Sequence, residues 1–191
     1  MRMYAIDVVE LEQAQDFSTR LMPTLTYLGS RNQSDPAVIQ HQNVVGKLGE
    51  FAVRRMLQSQ GHPVSPVNLE VTTHKTWDAD LLIAGRVRVH VKSQDVPSAK
   101  GFGLSWSFGI GDKNGNQGGH RDKEIFDSYR DVDQVVFCLV NEEDGWVGIC
   151  AELPVHKLHD LNLFHDPKKK ALIGIKKVVC FKDIPIEYRV Y

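Results

Sequence analysis

The chain has 191 residues, of which 42% are hydrophobic and 25% are charged, as is typical of a globular domain rather than a disordered or repetitive protein. The formal net charge is −1, so the whole chain lacks the basic excess typical of nucleic-acid-binding proteins. No apolar run approaches the roughly 20 residues that span a bilayer, and the N-terminus reaches acidic residues too early for a signal peptide. We therefore expect a cytoplasmic protein with no membrane partner.

The three cysteines, Cys138, Cys150 and Cys180, are widely spaced and form no C-x-x-C pair. Two of them lie in the apolar runs VVFCLV and KKVVCF, where buried free thiols are the expected state. Free thiols fit a reducing, intracellular compartment. The spacing disfavours a structural zinc cluster built on cysteines.

Two helices are predicted in the first third of the chain. The first covers Val8–Leu21 and is followed by Pro23, which cannot continue a helix. A loop is predicted over residues 29–36. The second helix begins after Asp35, a favourable N-cap, and ends near Gln60, where Gly61 follows.

The second helix has two different faces. Its apolar face consists of Val45, Leu48, Ala52 and Met56. Its polar stripe consists of Lys47, Glu50, Arg54 and Gln58. Gly46 and Gly49 are unusual inside a helix, because each glycine costs about 1 kcal/mol relative to alanine. Either a backbone or a phosphate comes close to them, or the helix begins later, or the glycines simply tolerate tight packing.

Strand patterns follow the second helix. A weak strand is predicted over residues 62–71, with the sequence HPVSPVNLEV. A hairpin is predicted from WDADLLIAG and RVRVHVKSQ, with its turn near Ala84 and Gly85. One face of its second arm carries Val87, Val89 and Val91, and the other carries Arg86, Arg88, His90, Lys92 and Gln94.

The remaining segments complete an α/β pattern. We expect a strand in GLSWSFGI, a glycine-rich loop over 109–121 and a short helix over 122–129. The run QVVFCLV is typical of a buried central strand, and WVGICAEL predicts another strand before a short helix over 154–159. This order indicates an α/β fold with a mixed sheet. We expect one domain over 1–191, with an N-terminal helical extension (1–35) and a core (36–191).

The polar residues of the hairpin suggest chemistry. Residues two apart on a strand point the same way, so His90 and Lys92 project together and Asp80 of the neighbouring arm can converge on them. Carboxylate oxygens hold divalent cations, and a nearby lysine can orient or deprotonate a water molecule. Glu50 is a natural further contributor, with Arg54 one helical turn later to bind a phosphate.

The spacing of these residues resembles the PD-(D/E)XK nuclease superfamily, which includes type II restriction endonucleases and Holliday-junction resolvases. The matching pattern is G-x-x-G-E ending at Glu50, D-h-h-h from Asp80 and x-V-K ending at Lys92. The resemblance covers residues 44–94. It implies a restriction-endonuclease-like mixed central sheet flanked by helices, and Mg²⁺- or Mn²⁺-dependent hydrolysis of DNA phosphodiester bonds. It also implies double-stranded or branched DNA as the partner, and a homodimer where two sites cut two strands.

The resemblance further implies a role for each residue. Glu50 and Asp80 are the metal-binding acids, with Asp78 as an alternative to Asp80, and Lys92 is the catalytic lysine. His90 stands where the family has Glu or Asp, as a further metal ligand or a contact to water. A neutral imidazole suits Mn²⁺ better than Mg²⁺. The alternative function is therefore a non-catalytic DNA-binding protein on the same fold with a degenerate metal site.

Five polar residues are predicted to contact nucleic acid: Lys47, Arg54, Gln94, Lys113 and Arg121. The last two lie in the glycine-rich loop, which is either a hairpin tip or a flap that closes on nucleic acid. Simpler interpretations stay open: the hairpin charges form a solvated face with a cross-strand ion pair, or Glu50 pairs with Arg54. A structural or interaction protein with a charged hairpin is the third class.

Two further groups are predicted to have no special role. His156, His159 and His165 are expected to be surface residues rather than zinc ligands, because a third ligand at a familiar spacing is missing. The run Lys168–Lys170 can contact a DNA backbone, but a short charge run is usually a solvated turn.

Overall fold

A five-stranded mixed sheet forms the centre of the protein, which the computed structural model describes over residues 1–25, 35–72, 79–111 and 121–191. The strands are β1 (Arg2–Ala5), β2 (Leu81–Ile83), β3 (Val87–Asp95), β4 (Ser105–Gly109), β5 (Gln134–Asn141), β6 (Trp146–Pro154) and β7 (Lys176–Cys180). The order in the main sheet is β1-β6-β5-β3-β2. β3 and β5 are parallel and the other neighbours are antiparallel, while β4 and β7 form a separate antiparallel pair.

The α-helices of the described residues are α1 (Val8–Leu21), α2 (Pro36–Ser59), α3 (Val96–Phe102), α4 (Lys123–Phe126) and α5 (Val155–Asp160). The first two confirm the predicted helices. The Asp35 side chain caps α2 by accepting a hydrogen bond from the Ala37 amide at 2.9 Å, and Gly61 follows the helix with a φ of +86°. None of the helices in the described part of the chain has the length and apolar character needed to cross a bilayer.

The apolar face of α2 packs on one side of the main sheet, as predicted. Val45, Leu48, Ala52 and Met56 are all buried in a cluster that also contains Val89, Val136 and Ala14 of α1. A Cβ at Gly49 would collide with the Ser93 side chain of β3, so the glycine lets the helix lie close to the sheet. This close approach explains why residue 49 is a glycine. It does not explain Gly46, where a Cβ would meet nothing within 4 Å.

The predicted hairpin and the buried central strand are both confirmed. β2 pairs with β3, and the turn residues Ala84 and Gly85 have φ values of 50° and 66°, as a tight two-residue hairpin turn requires. β5 is the middle strand of the sheet and is mostly buried. Its second face meets an aromatic-rich cluster that includes Trp106 and Phe108 of β4.

One strand prediction is wrong, and several short elements are missing from the prediction. Residues 62–71 form no strand; Val64 makes only an isolated bridge to Ile83, and the prolines at 63 and 66 have no amide hydrogen to donate to a ladder. β1, β7 and α3 are too short or too mixed in pattern to show in the sequence. Within the described residues the cysteines are free, with Cys138 and Cys150 buried and Cys180 half-buried.

Two predicted loop segments fall partly outside the described residues. They are residues 29–34 of the first loop and 112–120 of the glycine-rich loop. The short helix predicted over 122–129 is confirmed but ends at Phe126. At the N-terminus, β1 pairs with β6, and the Ser18 hydroxyl of α1 donates to the Gln40 carbonyl of α2 at 2.8 Å.

Candidate active site

The two faces of β3 carry different chemistry. Val89 and Val91 pack against the cluster that contains α2. The alternate residues point to the opposite face, where Lys92 reaches Asp122 and Gln94 reaches the start of β4. The predicted separation of valines and polar residues on this strand is therefore confirmed, and it places His90 and Lys92 side by side along one face.

Asp80 is the common neighbour of the candidate residues. It lies directly before β2, and its Oδ2 accepts a hydrogen bond from the Val91 amide at 2.7 Å. This bond fixes the carboxylate beside β3 between the positions of His90 and Lys92. Its negative charge acts in the direction of a higher pKa on Glu50, His90 and Lys92, although burial is the largest influence on each and lowers the pKa of His90 overall. Asp80 therefore approaches the helix glutamate as well as the polar face of the strand.

Glu50 is buried rather than solvated, contrary to its place in the predicted polar stripe. It is 7% exposed, and both of its carboxylate oxygens accept hydrogen bonds from Lys47 Nζ, at 3.0 and 2.8 Å. Burial, and next to it the charge of Asp80, raise the pKa of Glu50 to about 8, with Lys47 acting in the opposite direction. Two carboxylates that repel each other in a buried place favour a proton or a cation between them.

Glu50 does not pair with Arg54, which was the simpler interpretation of the sequence. Arg54 Nε instead donates to the Ser65 carbonyl at 3.1 Å. Lys47 is also packed, since its ammonium lies 4.7 Å from the centre of the Phe17 ring. Both basic residues of α2 that were predicted to contact nucleic acid therefore have partners inside the protein.

His90 is the most enclosed of the candidate residues. Only 2% of it is exposed, and no described residue hydrogen-bonds to its Nε2. Burial lowers the pKa of His90 below its ordinary value, so the imidazole is neutral near a pH of about 7. Burying a polar atom without a hydrogen-bond partner costs free energy of folding. The Nε2 atom of His90 is therefore a candidate to contact a ligand.

Lys92 is held by a residue that the sequence analysis did not single out. Its Nζ donates to Asp122 Oδ2 at 2.9 Å and lies 5.0 Å from the centre of the Phe108 ring. Burial opposes the charge on Lys92, but the Asp122 carboxylate, through its charge and its hydrogen bond, raises the lysine pKa above its ordinary value. Asp80 and Glu124 act in the same direction. Three carboxylates thus influence one ammonium group.

Asp122 is held by the last residue of β4 and lies at the start of α4. The same Oδ2 accepts a hydrogen bond from the Gly109 amide at 3.1 Å, and the Asp122 amide donates to the Gly109 carbonyl at 2.9 Å. The residue occupies the N-cap position of α4. An acidic residue at the start of a short helix was the available signal, but such residues usually serve only as caps.

The other predicted nucleic-acid contacts also have internal partners where the structure describes them. Gln94 donates to the Gly103 carbonyl at 3.2 Å and accepts from the Ser105 amide at 2.9 Å. Arg121 binds both carboxylate oxygens of Asp127 at distances of 2.7 to 3.0 Å. Lys113 and the alternative metal ligand Asp78 lie outside the described residues.

The histidines near α5 were predicted to be surface residues, and this prediction is wrong for His159. Its ring stacks on Tyr129 with the ring centres 4.9 Å apart, and its Nε2 lies 2.8 Å from the Ile125 carbonyl oxygen. His165 pairs with Asp183 at 3.3 Å. These contacts account for both rings without a metal.

Few protein side chains are placed to bind a cation at the candidate site. In the part of the chain that the structure describes, His, Cys, Asp and Glu side chains form no group of three or more arranged to hold a metal ion. Burial and the charge of Asp80 nevertheless both raise the pKa of Glu50. A pair of carboxylates is the protein contribution that many Mg²⁺ sites use, with water and substrate phosphates completing the shell.

Comparison of this chain with protein-family models, with curated proteins and with solved structures finds no match. The functional argument therefore depends on the residues and contacts described above.

Proposed function

We propose that this protein is a metal-dependent nuclease that hydrolyses DNA phosphodiester bonds at the site formed by Glu50, Asp80, His90 and Lys92. The observation that carries the proposal is that the Val91 amide holds the Asp80 carboxylate at 2.7 Å, beside the strand that carries His90 and Lys92, where its charge also acts on Glu50. A helix glutamate, a hairpin aspartate and a strand lysine in this order are the features that resemble PD-(D/E)XK nucleases. The mixed sheet flanked by helices is compatible with that architecture.

The donor set fits a hard or borderline divalent cation. Glu50 and Asp80 would hold Mg²⁺ or Mn²⁺, and the partner-free imidazole nitrogen of His90 would favour Mn²⁺. When bound, such a cation stabilises the charge that develops on phosphorus and lowers the pKa of a water molecule. A cation would also offset the repulsion by Asp80 that, after burial, raises the pKa of Glu50 to about 8.

The chain's own residues perform the remaining tasks. Lys92 places a positive charge beside Asp80, where it orients the attacking water and faces the scissile phosphate. Asp122 keeps the ammonium group charged and fixed in direction by its 2.9 Å contact. Phe108 covers the lysine from one side, which limits access of other water molecules to the ammonium group. His90 stays neutral and therefore adds no charge to the phosphate site.

The direct test is a cleavage assay on plasmid and single-stranded DNA at low salt, with Mg²⁺, Mn²⁺ or EDTA. We expect metal-dependent cleavage by the wild type and a loss of at least about 100-fold in Lys92→Ala. The matched control is Lys182→Ala, an exposed lysine outside the candidate site, which should cleave like the wild type. Equal activity of the Lys92→Ala variant would refute the mechanism.

A second candidate function is a DNA-binding protein without catalysis. Two observations favour it: Lys47 pairs with Glu50, and Lys92 pairs with Asp122. The two groups that the nuclease mechanism needs, Glu50 and Lys92, therefore already have partners inside the protein. A site that binds no metal should give no rise in melting temperature on addition of Mn²⁺, whereas a functional site gains stability by mass action. Absence of DNA binding even at low salt would exclude both functions.

A further inference from the structure

A pocket of about 410 Å³ lies next to the candidate active site along β3. Ser93, Gln94 and Asp95 of that strand form part of its wall, and α2, α3, β4 and β7 complete it. Gln94 follows Lys92 by two residues on the same face, a distance of roughly 6.6 Å along a strand. The volume lies within the range of small-molecule sites. The pocket is thus a direct neighbour of the proposed reaction centre.

The pocket has a basic wall. Lys168, Lys169 and Lys176 line it. Lys168 donates to the Phe102 carbonyl at 2.9 Å, which fixes this ammonium group at the rim at the C-terminal end of α3. Lys169 is exposed. Three lysines within one small cavity favour an anionic ligand.

Two carboxylates in the wall, those of Asp95 and Asp166, are already engaged by donors of the protein. Asp95 accepts from the Ser98 amide at 2.6 Å and lies 3.1 Å from His41. Asp166 accepts from Lys177 at 2.8 Å, a lysine that does not line the pocket. Lys177 offsets the charge of Asp166, so the three lysines of the wall outnumber the one remaining carboxylate, that of Asp95.

An exposed aromatic ring adds the second element of recognition. Phe102 at the end of α3 lines the pocket and is 55% exposed. Trp106 also reaches the wall, but it belongs to the core, where its Nε1 donates to the Cys138 carbonyl at 2.8 Å. An accessible aromatic ring beside a cationic wall is the combination on which single-stranded nucleic acids bind, by stacking of a base and contact with the phosphate.

From these contacts we infer that the pocket binds one nucleotide of a single-stranded nucleic acid, with its base against Phe102 and its phosphate at the lysines. This inference rests on the proposed function for the identity of the ligand. It adds a substrate class, because a stacked base has to be unpaired. The neighbouring phosphate of the same strand would then lie toward Lys92. Single strands and frayed or branched ends therefore bind in preference to intact duplex.

The test measures binding without cleavage, by fluorescence anisotropy of a labelled oligothymidylate of about 12 nucleotides in EDTA and low salt. We expect Phe102→Ala to weaken binding roughly five- to 150-fold. Tyr191→Ala, which removes a ring that is 75% exposed at the other end of the chain, should leave affinity unchanged. Lys169→Ala should reduce the slope of log affinity against log salt by about 0.7, and Lys182→Ala should not.

Each outcome decides the inference separately from the proposed function. Weaker binding by Phe102→Ala and Lys169→Ala supports the pocket even if no metal gives cleavage. Unchanged binding by both variants, or no binding by the wild type, overturns it even if the protein cleaves DNA. A duplex that binds as tightly as the single strand also overturns it. The inference is also overturned if thymidine monophosphate displaces the oligonucleotide with an equal affinity, because the ligand is then a free nucleotide.

Discussion

Two cation–carboxylate clusters lie on the same face of β3, and they differ in how many cations and carboxylates meet in each. At the start of the strand, Arg88 and Arg130 both bind Asp133, which is fully buried. Although burial opposes it, the hydrogen bonds from these arginines lower the pKa of Asp133 to about 2. Further along, the carboxylates of Asp122, Asp80 and Glu124 all act on the single ammonium group of Lys92. In the first cluster two arginines bind one carboxylate, whereas in the second three described carboxylates act on one lysine.

This difference separates a structural cluster from a candidate site. Asp133 also accepts a hydrogen bond from the Arg130 amide at 2.7 Å, so its oxygens are well occupied and it holds the entry to β5 in place. Around Lys92 the described carboxylates of Asp122, Asp80 and Glu124 all act on one ammonium group, and no described residue hydrogen-bonds to His90 Nε2, one pleat away. Several carboxylates beside a buried imidazole nitrogen can bind a cation, whereas a carboxylate whose oxygens are occupied by two arginines is not available to one.

The largest expected effect on stability comes from breaking the structural cluster. Asp133→Asn should lower the free energy of unfolding by about 3–5 kcal/mol, because two arginines lose their shared charge in a buried place. Asp122→Asn should cost only about 1–2 kcal/mol, since it removes one charged hydrogen bond at a partly exposed lysine. Urea denaturation of both variants measures the difference. Equal losses would contradict the assignment of the two clusters to different roles.

The pH dependence of stability should reveal the raised pKa of Glu50. The native carboxyl keeps its proton up to a pH of about 8, while the unfolded one loses it near 4.5. The native state therefore binds more protons between these values, and wild-type stability falls as the pH rises through them. Glu50→Gln removes this titration.

The measurement is urea denaturation of the wild type and Glu50→Gln in EDTA. From about pH 5 to about pH 9, the stability of the variant relative to the wild type should rise by on the order of 2–5 kcal/mol. A constant difference between the two proteins across this range would show that Glu50 is not a buried acid that holds its proton.

The smallest expected effect concerns the choice of metal. His90→Asp replaces a neutral nitrogen donor with the carboxylate that the PD-(D/E)XK pattern has at this position. We expect the ratio of Mg²⁺- to Mn²⁺-supported cleavage to rise by about tenfold, because carboxylates favour the harder ion. The same plasmid assay in each metal, normalised to wild type, gives the ratio. An unchanged ratio would remove His90 from the metal site.

The hairpin and the helix α2, which carry this site, could be predicted from the sequence because their patterns are local. Strict alternation over residues 87–94 and the Ala84-Gly85 turn specify the hairpin, and the 3.6-residue period of α2 specifies its buried face. The same periodicity misplaces Glu50. The helix lies so close to β3 at Gly49 that its neighbour Glu50 is enclosed as well, and only the tertiary packing shows this.

Asp122 shows why the rest of the site could not be predicted. It follows Lys92 by 30 residues, and its position depends on β4 and on α4 rather than on any local pattern near the hairpin. The edge strand β1 and the strand β7 also depend on distant partners, β6 and β4. Short segments of this kind carry too little periodic signal to indicate a strand.

The central claim is that Asp80 joins Glu50 and the polar face of β3 into one cation site, and Mn²⁺ titration by calorimetry tests it most directly. The wild type should bind Mn²⁺, and Asp80→Asn should bind at least about tenfold more weakly because one of two carboxylate ligands is lost. Asp131→Asn, which changes an exposed carboxylate outside the site, should bind like the wild type. Equal Mn²⁺ binding by wild type and Asp80→Asn, or none by either, would contradict the account.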